Sequence, residues 1–164
     1  MTGTLLEIGE GSSSTLLIAR ATWQDLNDLR RLEDICFTED SWPLWDLIAV
    51  LTLPKIVRLK AIVDGKMGGF IAGDPQPREK LGWISTLGVL PQFRRKGIAE
   101  MLLASCEMEL DFPRLRLSVS RSNEPALGLY KKTGYQIVDI WRKGKLYNDT
   151  VNRNIGIKFK HQIN

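Results

Sequence analysis

The most constraining feature of this sequence is a central stretch in which three consecutive cations join an apolar segment to a helical pattern. It covers residues 81–110 and reads LGWISTLGVLPQFRRKGIAEMLLASCEMEL. Residues 80–89 predict a strand, and apolar residues recur at helical spacing from Ile98 onward. A strand that leads almost directly into a helix forms one strand–loop–helix unit. We therefore expect the rest of the fold to be arranged around residues 81–110.

The three cations, Arg94, Arg95 and Lys96, stand directly before Gly97, where the predicted helix begins. The exposed N–H groups and the dipole of a helix disfavour a positive charge there by roughly 0.3–1 kcal/mol. A cluster of cations therefore indicates an anionic partner such as a phosphate, which first-turn N–H groups bind well. The alternative is a solvated basic loop. Neither a P-loop nor a GxGxxG motif after the strand is present.

Composition limits the class of protein. A chain of 164 residues with 43% hydrophobic content suits one domain with a sizeable core. The net charge of +4 is spread along the chain, so no nucleic-acid partner is predicted. The sequence lacks a signal-peptide pattern and an apolar run of about 18 residues, so we expect a cytoplasmic protein without a membrane partner. Cys36 and Cys106 lack metal-ligand spacing, which predicts free thiols, a reducing compartment and no metal.

Residues 1–14 are rich in Gly and Ser and predict a flexible tail, which leaves residues 15–160 as the folded domain. The predicted strands are 15–21, 57–63, 67–72, 80–89, 115–120, 135–141 and 151–159, and the predicted helices begin near residues 22, 41, 98 and 123. In the first helix Leu26, Leu29, Leu32 and Ile35 to Cys36 are predicted to point inward, and Asp25, Asp28, Glu33 and Asp34 to share the polar side. The predicted class is a mixed α/β single domain with a largely antiparallel twisted sheet flanked by helices.

Two further signatures accompany the cation loop. Residues 94–99 fit the pattern Q/R-x-x-G-x-G/A, and 87–89 fit the strand end before it. The later residues 122–135 fit SN-x-x-A…LY…GF/Y. In this order and spacing they resemble the GCN5-related N-acetyltransferase (GNAT) family, and within it the peptide α-amine acetyltransferases such as the ribosomal-protein alanine (RimI-like) enzymes. The resemblance implies the acyl-CoA N-acyltransferase fold.

By this resemblance the co-substrate is acetyl-CoA, wedged between two strands that splay apart near Val89 and Ser120. Its pyrophosphate lies on the amides of residues 95–100, and the backbone of 87–89 holds the pantetheine and acetyl end. The residues implied in cofactor binding are Leu87, Gly88, Val89, Arg94, Arg95, Lys96, Gly97, Ile98, Ala99, Glu100 and Asn123. For Asn123 a helix cap is an alternative that is compatible with this role.

The resemblance also implies direct acetyl transfer to an amine, with Tyr130 as the acid that protonates the departing thiolate. A core aromatic is the alternative for Tyr130. Where the ribosomal acetyltransferases carry a glutamate base this chain has Ser118, and where other subfamilies carry Glu or Tyr it has Trp83. Neither is a strong base. Ser118 is therefore assigned to a water relay with Ser85 and Ser120, based on alternate positions of a strand.

The missing base favours an acceptor that is easily deprotonated. A peptide α-amine with a pKa of about 8 is roughly one tenth free at neutral pH, whereas a lysine amine with a pKa of about 10.4 is almost fully charged. By resemblance Phe37, Trp42 and Tyr147 enclose the acceptor, and Glu39, Asp40 and Asp149 attract a cation.

We therefore predict an acetyltransferase for a protein or peptide N-terminus, with the chain as a monomer or homodimer. One alternative is a small amine acceptor, such as a polyamine or an aminoglycoside. Another is a catalytically weak CoA-binding sensor, which the missing glutamate favours. A nucleic-acid-binding module is a distant fourth possibility, since no motif supports it.

Overall fold

A computed structural model describes residues 6–8, 14–38, 41–142 and 155–162, and the side chains of 14–38 and 41–138. The described strands are β1 (Leu6–Ile8), β2 (Ser14–Arg20), β3 (Val57–Val63), β4 (Lys66–Gln76), β5 (Leu81–Val89), β6 (Arg114–Ser120), β7 (Gln136–Arg142) and β8 (Ile155–Gln162). The described α-helices are α1 (Leu26–Cys36), α2 (Leu44–Thr52), α3 (Ile98–Leu110) and α4 (Glu124–Lys132). Short 3-10 helices cover Trp23–Asp25 and Pro91–Phe93.

The described strands form one sheet in the order β1-β2-β3-β4-β5-β6-β8-β7. Every neighbouring pair is antiparallel except β5 and β6, which run parallel. This parallel pair is joined by α3, as expected for two parallel strands that need a crossover connection. The prediction of a mixed, largely antiparallel α/β fold is confirmed.

Local signals explain most of the meander. The Asp64–Gly65 turn between β3 and β4 has φ values of 49° and 78°, as a type I′ hairpin requires. The loop predicted after residue 72 is wrong, because β4 continues to Gln76 and pairs there with the start of β5. Cross-strand pairing overrides the loop preference of the Gly, Asp and Pro residues in this segment.

The helices cover both faces of the sheet. On the face that we call the α3/α4 face, the helices pack on Ile71, Ile84, Leu115 and Leu117. On the opposite α1/α2 face, Leu29 and Leu32 of α1 and Leu47 of α2 pack on Phe70 and Ala72 of β4. Because successive strand residues point to opposite faces, Phe70 and Ile71 belong to different cores.

The strand β1 lies within the segment predicted as a tail. It pairs antiparallel with β2, with Leu6 opposite Leu16. The sheet therefore includes Leu6–Ile8 and Ser14, which precede the predicted boundary at residue 15, while residues 1–5 and 9–13 lie outside the described part of the chain. Among the helices described, none has the length and apolar character needed to cross a bilayer.

Two positions of α1 differ from the prediction. Ile35 was expected to point inward but is 40% exposed, and Glu33 was expected on the polar side but is only 1% exposed. Residue 33 stands four after the buried Leu29 and three before the half-buried Cys36, so it occupies the inward stripe of the helix. Helix geometry therefore buries the carboxyl group despite its polarity.

Candidate active site

The parallel strands β5 and β6 separate at one end. Their pairing runs from Gly82 and Leu115 to Ile84 and Leu117 and then stops. Both strands continue beyond that point, β5 to Val89 and β6 to Ser120. The predicted splay is present, and it leaves the β6-facing backbone edge of 85–89 unpaired among the described residues.

The cation loop follows the open end of β5. Its backbone takes the left-handed conformation at Arg95 (φ 65°) and at Gly97 (φ 76°), directly before α3. Within the described part of the chain no side chain caps the N-terminus of α3, so its first-turn N–H groups are open to a ligand. A Cβ atom added at Gly97 would meet nothing within 4 Å, which leaves space over these N–H groups. Left-handed residues directly before an uncapped helix N-terminus form a type of backbone arrangement that binds anions in many proteins.

The three cations of this loop are exposed, and none forms an ion pair with a described carboxylate. The Arg94 Nε atom donates to the Val89 carbonyl at 2.9 Å, so one cation ties the loop to the end of β5. The Lys96 Nζ atom lies 5.9 Å from the centre of the Phe93 ring. Glu100 differs from the others, because Lys132 of α4 neutralises it at 2.7 Å.

The end of β5 is covered on the α1/α2 face by residues of α1 and its C-terminal extension. A Cβ atom added at Gly88 would lie 2.9 Å from Leu32 and 3.2 Å from Phe37, so this close approach requires glycine. Phe37 thus sits against the segment 87–89 that was predicted to hold the acetyl end. The two predicted positions, far apart in sequence, are brought together.

On the other side of the splay, α4 carries two predicted residues. Asn123 is the N-cap of α4, and its Oδ1 accepts the Ala126 N–H at 3.2 Å. The helix-cap alternative therefore holds, and it leaves the amide nitrogen of the side chain for another partner. Tyr130 is 6% exposed on the α3/α4 face, with its ring 5.5 Å from that of Tyr135.

Burial raises the pKa of the Tyr130 phenol, so the hydroxyl stays protonated at neutral pH, as an acid must. A phenol whose pKa is raised in this way is a weaker acid than an exposed tyrosine. A thiolate released in the same desolvated place also becomes a stronger base, which restores the driving force for proton transfer.

A cleft of about 210 Å³ opens on the α1/α2 face, where Ser85 of β5 meets Trp42 and Asp46. The register between β4 and β5 shifts at this point, since Ala72 pairs with Thr86 and Gly73 with Ile84. Ser85 is the extra residue of this β-bulge, and bulges commonly redirect side chains beside active sites. Ser85, predicted in the water relay, and Trp42, predicted to enclose the acceptor, therefore line one cleft.

Strand β6 adds Arg116 and Ser118, which alternate with the core residues Leu115 and Leu117 and so lie on the α1/α2 face. Ser118 is exposed, and no hydrogen bond links it to Ser85 or Ser120 within the described residues. The buried Nε atom of Arg116 has no hydrogen-bond partner among the residues whose side chains are described. The β6 side of the site thus presents a hydroxyl and a cation.

Sequence reasoning missed Glu33 and Thr86. The Thr86 hydroxyl donates to Glu33 Oε1 at 3.4 Å, and the Trp42 N–H donates to Glu33 Oε2 at 3.3 Å. Burial raises the pKa of Glu33. The available signal was the position of residue 33 in the apolar stripe of α1, where a carboxylate is exceptional.

The remaining predicted residues divide into two groups. Tyr147, Glu39, Asp40 and Asp149 lie outside the described residues. Both cysteines are free thiols, with Cys106 buried and Cys36 half-buried. Burial raises the pKa of Cys36, and it raises the pKa of Cys106 to about 12. Neither is therefore a thiolate at neutral pH, which disfavours a cysteine nucleophile.

A sheet with one splayed parallel pair, followed by an anion-binding turn at a helix N-terminus, defines a class of acyl-CoA-binding folds. The chain belongs to the acetyltransferase (GNAT) family, whose sequence profile matches residues 23–135. The family and fold predicted from the signatures are confirmed.

Individual relatives agree with this assignment. The L-amino acid N-acetyltransferase AaaT of Escherichia coli is 30% identical over 101 residues, which cover 58% of this chain and 62% of AaaT. The match therefore spans about three fifths of that relative. The ribosomal-protein-S18-alanine N-acetyltransferase of Escherichia coli superposes with a TM-score of 0.78 at 21% identity, covering 90% of this chain and 94% of the other. NAA60 of Arabidopsis thaliana, solved with a bisubstrate analogue, gives 0.78 at 22% identity, covering 92% and 99%.

Proposed function

We propose that the protein transfers the acetyl group of acetyl-CoA to the α-amine of a peptide, protein N-terminus or amino acid. The observation that carries this proposal is the splay of β5 and β6, which ends at the cation loop and the open N-terminus of α3. The gap suits a pantetheine arm, and the loop suits its phosphates. In acetyl-CoA the reactive thioester lies at the other end of that arm.

The proposed roles follow from the placement of the residues. The first-turn N–H groups of α3, with Arg95 and Lys96, hold the pyrophosphate. The unpaired edge of residues 87–89 holds the pantetheine and acetyl end, and the free amide nitrogen of Asn123 hydrogen-bonds the arm from the α4 side. Tyr130 supplies a proton to the thiolate, which leaves once the amine nitrogen has attacked the thioester carbon.

The acceptor enters from the α1/α2 face. Trp42 borders the cleft and Phe37 covers Gly88 of β5. Ser118 hydrogen-bonds the acceptor or a water beside it. The Arg116 guanidinium on this face, whose buried Nε has no partner among the described residues, favours an acceptor with few positive charges over a polyamine or an aminoglycoside, since like charges repel. The L-amino acid named for AaaT and the bisubstrate analogue bound to NAA60 also support an α-amine acceptor.

The test is thiol release from acetyl-CoA with four acceptor groups: N-terminal peptides, free L-amino acids, N-blocked lysine peptides and polyamines. Calorimetry follows CoA binding in parallel. We expect turnover with one or both α-amine groups and little with the other two. Tight CoA binding without turnover on any amine would support a sensor instead. Absence of CoA binding would refute the proposed cofactor site.

A further inference from the structure

Glu33 is the fully buried charged side chain of the described residues. Burying a carboxyl group is costly unless partners compensate, and proteins rarely do so without a structural or chemical reason. Its neighbours on α1, Asp28 and Asp34, are exposed. Burial is therefore specific to residue 33 and is not shared by Asp28 and Asp34 of the same helix.

The contacts of Glu33 point toward the candidate site. Oε1 accepts the hydroxyl of Thr86, which lies on the unpaired length of β5, and Oε2 accepts the backbone N–H of Trp42, which lines the acceptor cleft. Thr86 directly follows the bulged Ser85 and precedes residues 87–89. The Thr86 hydroxyl therefore links the Glu33 carboxyl group to the edge of β5 that is proposed to hold the acetyl group.

The surroundings of Glu33 contain little opposing charge. Asp34 on the same helix acts on it electrostatically and raises its pKa further, although burial is the larger cause. Among the described residues, Cys36 on the same helix interacts electrostatically with Glu33 and with Arg94 after β5, and Asp46 of α2 lines the cleft beside Trp42. A carboxyl group with a raised pKa is a better base near neutral pH than an exposed one.

We propose that Glu33 is the proton acceptor for the amine and acts through the hydroxyl of Thr86. The proposal rests on the proposed acetyltransferase function, and it supplies the base that Ser118 and Trp83 do not provide. In this scheme Thr86 contacts the acceptor nitrogen and Glu33 is a positioning and proton-accepting residue behind it. The distances of 3.3 and 3.4 Å are those of a site without substrate, in which catalytic hydrogen bonds are often long.

The proton balance is complete. An α-ammonium group that becomes an amide loses two protons. One passes to the Thr86 oxygen as Thr86 passes its own proton to Glu33, which frees the lone pair that forms the C–N bond. The other leaves the nitrogen when the C–S bond breaks and restores the Tyr130 phenol, which has given its own proton to the departing thiolate. Glu33 releases its proton to solvent between turnovers. The acetyl group moves from sulfur to nitrogen without an additional reactant.

The decisive variant is Glu33→Gln, which keeps the shape and an acceptor oxygen but is not a base. We expect kcat at pH 7 to fall about a hundredfold, with CoA affinity unchanged. The deficit should shrink above pH 8, where the α-amine is already deprotonated. The matched control Asp28→Asn removes an exposed carboxylate of the same helix and should retain wild-type turnover and pH profile.

A second pair of variants leaves Glu33 in place. Thr86→Val removes the hydroxyl at similar volume and should reproduce the loss in kcat, whereas Thr86→Ser should restore most of it. These variants test the relay even if Glu33→Gln fails to fold. The relay is wrong if Thr86→Val or Glu33→Gln keeps kcat within about twofold, or changes only the KM of the acceptor while the pH profile stays that of wild type.

The two proposals fail in different ways. If the wild-type protein acetylates no amine, the proposed function fails. If the wild type turns over an α-amine acceptor while Thr86→Val does so equally well, only the relay fails.

Discussion

The two faces of the sheet contribute to the candidate site by different means. On the α3/α4 side, the anion-binding turn is built from backbone: a left-handed Gly97, the uncapped first turn of α3 and the unpaired edge of β5. On the α1/α2 side, the cleft is lined by Trp42, by Ile56, by residues of α2 and by Ser85 of β5. A backbone site tolerates variation of side chains and suits a cofactor that does not change. A side-chain site changes with each substitution and suits the selection of acceptors.

The first prediction concerns the acid on the α3/α4 side. Tyr130→Phe should lower turnover at least a hundredfold while CoA affinity stays near wild type, because only the proton donor is lost. Thiol release and calorimetry measure the two quantities. Tyr135→Phe is the matched control. It loses a buried hydrogen bond to Glu107 at 2.5 Å and should cost about 1.5–3 kcal/mol of stability but little turnover. Equal turnover in Tyr130→Phe would remove Tyr130 from the mechanism.

The second prediction distinguishes residues that bind the cofactor phosphates from residues that act at the thioester. Replacing both Arg95 and Lys96 by Gln should weaken CoA binding about tenfold, or ~1.4 kcal/mol, with little change in kcat. Arg94 is left intact because it ties the loop to Val89. With acetyl-pantetheine, which lacks the phosphates, the variant and the wild type should perform alike. A similar loss with both donors would show that the charges act on the fold and not on phosphate.

The third prediction is a pH dependence of stability on the α1/α2 side. Because the pKa of Glu33 is raised above its ordinary 4.5, the folded chain retains a proton that the unfolded chain loses. The stabilisation of the folded chain by protonated Glu33 is therefore present below pH 4.5, and it is lost as pH rises through the pKa that Glu33 has in the folded chain. In thermal melts, the Tm of Glu33→Gln minus the Tm of wild type should increase by a few degrees between pH 4.5 and pH 8. A constant difference across this range would mean that Glu33 is not perturbed.

The smallest effect is expected at β6. Ser118→Ala should lower turnover about threefold or less, since the exposed hydroxyl hydrogen-bonds the acceptor or a water but is no strong base. Steady-state kinetics across pH 6–9 measure this. If turnover and pH profile are unchanged, the predicted serine relay through Ser118 is excluded. If instead the loss exceeds tenfold and the acid limb shifts, Ser118 replaces Thr86 as the proton path.

The sequence was sufficient for the family, the fold class and the cation loop, because these depend on contiguous patterns. Residues 94–99 encode both the turn and the start of α3, and Asp64–Gly65 encodes the turn of its hairpin. The α4 signature likewise contains its cap, since Asn123 accepts the N–H of Ala126 three residues later. Short-range hydrogen bonds and steric limits decide such features, and both are encoded within a few neighbouring residues.

Only the tertiary structure decided the bulge at Ser85, the extension of β4 and the site of Glu33. Glu33 and Thr86 are 53 positions apart, and their contact exists because α1 lies on the sheet face opposite α3. From its polarity, the carboxylate of Glu33 was predicted to face solvent. In the structure, the packing of Leu29 and Leu32 on β4 orients α1 so that residue 33 faces β5. The free energy of burying those leucines outweighs the preference of one polar side chain, and that balance is set by contacts that no local pattern contains.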